Sequence, residues 1–98
     1  MRLYLLDRFD LNMFKGYPVN VTIDRAYEDE VCLALELHQE EGDLVNTVAD
    51  EETVMQIGEL CGFELMMGKP QEVKLEEGDK AYIMKKENGK LTFWEILV

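Results

Sequence analysis

The sequence predicts an α/β domain: a mixed sheet of about five strands, flanked by two main helices, in one compact unit spanning residues 1–98. Three observations carry this. Asn88-Gly89 between two β-rich runs is the pair a type I′ hairpin turn requires. Two stretches, 24–38 and 50–61, repeat apolar residues at three- and four-residue spacing. The run Leu3-Tyr4-Leu5-Leu6 is continuously apolar, as in a strand buried on both faces. Ninety-eight residues leave no room for a second core.

In chain order, residues 7–14 read as a loop or a single helical turn, punctuated by Gly16 and Pro18. Val19-Asn20-Val21-Thr22-Ile23 alternates apolar and polar residues, a strand pattern. Asp24 is placed to cap a helix reaching about His38, with Tyr27, Val31, Ala34, Leu35 and His38 on one face. Leu33 and Leu37 widen that apolar surface, so this helix is expected to be wedged against more than one neighbour. A turn at 40–43 follows, and Leu44-Val45 leads on.

The segment Asn46–Gly62 organises the rest. Asp50 is an N-cap, Glu51 and Glu52 sit where the helix dipole favours negative charge, and Val54, Ile57, Leu60 and Cys61 form one stripe. Gly62 is placed to end the helix in a left-handed conformation. Phe63–Met67 is ambiguous between strand and helix end. Val73 and Leu75 alternate with charges before the final hairpin, so the expected order is β-β-α-α-β-β-β.

The net charge is −11. Residues 24–52 hold eleven acidic side chains against Arg25 alone, nearly the whole imbalance. A field of that sign repels phosphate backbones, which disfavours binding to nucleic-acid duplexes. It is either a solvated face or a surface that attracts a basic host protein, with Glu28, Asp29, Glu30, Glu40, Glu41 and Asp43 as candidate contacts. No run of 18 apolar residues is present and the N-terminus lacks a signal-peptide pattern, so a cytoplasmic protein is expected. Cys32 and Cys61 are accordingly expected as buried free thiols. The six methionines are expected to fill core.

Residue types exclude several chemistries. With one histidine, His38, and no Cys-x-x-Cys, no metal site of the usual kind is expected, and no cofactor. There is no P-loop, no Gly-x-Gly-x-x-Gly and no serine at all. Paired carboxylates remain, at Asp7 with Asp10 and at Asp50 with Glu51 and Glu52. Capping and the dipole account for Asp50, Glu51 and Glu52 without catalysis.

Taken together, LYLLDRFDLNMF, TVADEETVMQIGELCG and VKLEEGDKAYI resemble the small viral and prophage proteins that include the type III anti-CRISPR ring nucleases. The resemblance covers most of the chain. It implies a homodimeric α/β fold that binds cyclic tetra-adenylate at the dimer interface. Active members cleave that ring by positioning a ribose 2′-hydroxyl against the adjacent phosphate.

The family's motif at the helix start resembles Gly-His-x-x-Thr; here it reads Ala49-Asp50-Glu51-Glu52-Thr53, with Asp50 in the histidine's place. The family's Asn-Arg pair falls at Lys69-Pro70. Its Arg-Leu-x-Glu-Gly segment is replaced by the tight Glu87-Asn88-Gly89-Lys90 turn. Its Asn-Ala-Phe-Ser reads Asp7-Arg8-Phe9-Asp10.

A polyanionic ring needs N–H donors and cations, and three carboxylates stand in their place. The reading therefore leans to a non-catalytic member that binds a protein, with a rebuilt ring-binding or ring-cleaving pocket as the alternative. Asp50 and Thr53 would be the catalytic candidates in that pocket. Its ligand contacts would be Arg8, Asp10, Asp50, Thr53 and Lys69.

Overall fold

The computed structural model describes residues 2–98. Five strands form one mixed sheet: β1 (Leu3–Leu6), β2 (Thr22–Ala26), β3 (Leu44–Asn46), β4 (Lys80–Glu87) and β5 (Lys90–Leu97), in the order β2-β5-β4-β1-β3. β1 lies parallel to both β3 and β4, while β5 runs antiparallel to β4 and β2. Two helices, α1 (Glu28–Glu41) and α2 (Glu51–Cys61), follow β2 and β3.

β1 is central and buried along its whole length, as its unbroken apolar run requires. Alternation then divides two cores. Leu3, Leu5, Tyr82 and Phe93 face the helices and pack with Val31, Leu35, Val54 and Ile57. Tyr4, Leu6, Ala81 and Ile96 face the other way, where Met13, Phe14, Val73 and Leu75 from loops cover them. A single bridge, Phe14 to Leu75, ties those loops together.

The hairpin and α2 form where the sequence places them. Asn88 and Gly89 both have positive φ, 50° and 77°. The Asp50 carboxylate accepts the Thr53 N–H at 3.2 Å, and Gly62 is left-handed with φ 74°. A one-turn 3₁₀ helix at Leu11–Met13 fills the expected loop, capped by Asp10.

Four expectations are corrected. The second strand is Thr22–Ala26, not 19–23, because antiparallel pairing with β5 sets its register, Thr22 opposite Leu97 and Ala26 opposite Phe93. Asp24 therefore lies in a strand, and α1 begins at Glu28 behind Tyr27, ending at Glu41. The fifth strand is Leu44–Asn46, between the helices; residues 63–79 contribute only the Leu75 bridge. Cys32 and Cys61 are not free thiols: they are joined, with Cα atoms 5.1 Å apart, linking α1 to α2.

Two smaller expectations also change. Leu33 and Leu37 are not wedged against a neighbour; they are 72% and 49% exposed. Of the methionines, Met13 is buried, whereas Met55, Met66 and Met67 are exposed.

Candidate functional site

The carboxyl ends of β1, β3 and β4 point the same way, and the N-terminus of α2 meets them there. In α/β folds this is the usual location of a site. A cleft of about 320 Å³ opens at this point, lined by Asp7, Val48, Ala49, Asp50, Thr53, Met84 and Lys86.

Local geometry explains how these residues are held. Thr47, the one buried polar residue among the described residues, donates from Oγ1 to the Leu5 carbonyl at 3.2 Å and accepts from the Asp7 N–H at 3.4 Å. This fixes Asp7 at the end of β1. Asn46 accepts the Val48 N–H at 2.9 Å and donates to the Met66 carbonyl at 3.0 Å, which holds the β3–α2 turn.

Asp50 then closes the helix end on itself. Its carboxylate accepts from both the Thr53 hydroxyl and the Thr53 N–H, and its carbonyl accepts the Val54 N–H at 3.0 Å. Those Thr53 bonds, helped by the charge of Lys86, hold the Asp50 carboxyl below its ordinary pKa. An acid–base catalyst at neutral pH needs the opposite shift. Asp50 is thus a fixed anion where a phosphate would otherwise find free N–H groups.

Because folding lowers this pKa, the cap's contribution is complete above the unfolded value near 3.8 and fades as pH falls through the folded one. Asp50→Ala is therefore expected to lower the denaturant midpoint at neutral pH. The gap from the parent should narrow in acid below 3.8; a gap independent of pH would contradict the assignment.

Of the residues named from sequence, the cleft brings together Asp50 and Thr53, beside Asp7. Lys69 lines a separate cleft with Gln39, Asn46 and Met66. Arg8 is exposed and Asp10 caps the 3₁₀ turn; neither lines the cleft at α2. Lys86, the cation that does, was missed by sequence reasoning. Its position on β4 follows only from the parallel pairing of β4 with β1, which spacing along the chain does not reveal.

The acidic residues make a second surface. α1 carries six carboxylates and no lysine or arginine. Glu28, Asp29, Glu30, Glu40 and Glu41 are exposed, and among the described residues none of them is salt-bridged. Asp43 differs: it bonds to His38 Nδ1 at 2.7 Å and closes the C-terminal end of α1. Glu41 completes a group with those two whose ligand-type atoms lie within 4.8 Å of one another. Asp24, opposite Glu95 on β2, and Asp50 to Glu52 lie on other elements, so the acidic third of the sequence divides between surfaces.

Comparison with protein-family models and with curated proteins gives no match. Among solved structures, the chain is similar to B116 of Sulfolobus turreted icosahedral virus. The two share 32% identity over 100% of both chains, with a TM-score of 0.84.

Proposed function

The chain belongs to the family of the Sulfolobus turreted icosahedral virus protein B116, and on that premise we propose that it is a viral accessory protein that binds a basic host protein through α1. The observation that carries this is the concentration of unpaired carboxylates on one exposed helix. Charge complementarity of this kind speeds encounter and selects partners by sign. The protein would work in the host cytoplasm as a non-catalytic relative of the ring nucleases it resembles. No described helix is long and apolar enough to cross a membrane.

Replacing Glu28, Asp29 and Glu30 together with Gln, Asn and Gln should reduce partner recovery in pull-downs from a Sulfolobus host lysate by about tenfold at low salt. The gap should shrink as salt is raised. Undiminished recovery by the triple variant would remove the proposal.

We also propose that the chain is a homodimer. The outer edge of β2 pairs with no strand among the described residues, and Ile23 on it is 54% exposed. Light scattering should give twice the 11.4 kDa chain mass; a monomer mass would exclude the dimer.

A second reading is favoured by one observation, the placement of Lys86 beside Thr53 in the cleft at α2. There the cleft would take a cyclic oligoadenylate, with Lys86 replacing a missing arginine. Against it stand Asp7 and Asp50 in the same lining, and a Thr53 N–H already bonded to the Asp50 carboxylate.

A further inference from the structure

We propose that the outward face of α1 seats a basic amphipathic helix, whose apolar side packs on Leu33 and Leu37 while its cations meet the surrounding carboxylates. This rests on the acidic-face reading above and specifies its partner.

The phase of α1 decides which of its side chains face outward. Val31 and Leu35 are fully buried against the sheet, which turns Leu33 and Leu37 outward on the far side. Single exposed leucines are common and mean little. Here two stand one turn apart on a helix otherwise surfaced with acid. Asp29 and Glu30 lie one turn before Leu33, Glu36 one turn after it, and Glu40 and Glu41 one turn after Leu37. An apolar centre with a charged rim is the anatomy of a protein interface.

The same pattern selects the occupant. A second copy meeting this face through its own α1 would set carboxylates against carboxylates. Nucleic acid is repelled for the same reason. A convex helix offers no concavity to a small apolar ligand. A partner helix suits the spacing, because leucines four residues apart are separated by about 6 Å along the axis, the interval at which a facing helix presents its own i and i+4 side chains. α1 is about 21 Å long, enough to seat four turns.

The platform is also rigid. Cys32 ties α1 to α2, and the Gln39 side chain clamps the chain beyond α2, donating to the Glu64 carbonyl and accepting from the Met66 N–H, both at 2.9 Å. Little ordering is left to be done on binding.

The test uses two synthetic peptides of identical composition, about four turns long and rich in lysine and arginine. One aligns its leucines at three- and four-residue spacing; its isomer scatters them around the helix. Fluorescence anisotropy at low salt should show the aligned peptide binding at least about tenfold tighter. The Leu33→Ser, Leu37→Ser variant, altered only at exposed positions, should lose that margin and keep the weak charge-driven binding. Equal binding of both peptides, unaffected by the variant, would overturn the helix seat while leaving the acidic-face reading standing. Failure of both peptides to bind would overturn both readings. A variant whose mass in light scattering falls to half that of the parent would assign the face to self-association instead, and would equally overturn the proposal.

Discussion

Reducing the Cys32–Cys61 bridge is expected to cost about 3 kcal/mol of stability. The bridge closes a loop with a sequence separation of 29, and releasing it returns that loop's freedom to the unfolded chain. The loss falls on a vulnerable element. Only Val31 and Leu35 of α1 are fully committed to the core, and its six carboxylates repel one another. For a domain of this size the shift in melting temperature should exceed about 10 °C. Thermal unfolding followed by circular dichroism, with and without reductant, measures it directly, and the Cys32→Ala, Cys61→Ala variant should reproduce the reduced curve. Identical melting of the oxidised and reduced protein would show that the bridge does not tie the helices together.

Gly68→Ala is expected to be the most damaging single methyl group that can be added to the chain away from the core. A Cβ there would stand 2.6 Å from the Asn46 and Val48 carbonyl oxygens and 2.7 Å from the Val48 nitrogen. All three are backbone atoms, so no rotamer change relieves the clash. Gly68 also donates its N–H to the Val48 carbonyl at 2.9 Å, and the neighbouring Lys69 N–H donates to the Asn46 carbonyl at 3.1 Å. The extra methyl must push this strap off the β3–α2 turn and disturb the residues leading into Asp50. A loss of about 2–3 kcal/mol is expected, measured by chemical denaturation. Gly16→Ala, where a Cβ would meet nothing within 4 Å, is the matched control. Equal midpoints for the two variants would contradict this packing.

How much of this was legible along the chain depended on how local each cause is. α2 carries its own start and stop signals, Asp50 and Gly62, and the hairpin is dictated by Asn88-Gly89, so both follow from short stretches. β3 is three residues long and exists because Leu44 to Asn46 pairs with β1, a partner about forty residues away. No periodicity can show in so short a run. The start of α1 was misplaced because Asp24 has the chemistry of a cap, yet pairing with Glu95 in the sheet outweighs that preference.

The site divides along the same line. Asp50 and Thr53 are neighbours on one helix turn, so their juxtaposition was readable, whereas Lys86 enters only through sheet topology. Leu33 and Leu37 illustrate a subtler limit. Their spacing is helical whether they are buried or not, and only the burial of Val31 and Leu35 fixes which side faces the sheet. The bridge between the cysteines had no sequence signal, because it depends on how two helices pack.

The central claim is that this chain acts through its acidic helix and not through chemistry in the cleft at α2. Purified protein in molar excess, mixed with cyclic tetra-adenylate, tests it most directly when binding and cleavage are followed in the same samples. The account predicts neither, because Asp7 and Asp50 line the cleft and the Thr53 N–H is already taken by the Asp50 carboxylate. Cleavage, or saturable binding lost on Lys86→Ala, would contradict it and make the cleft the working site.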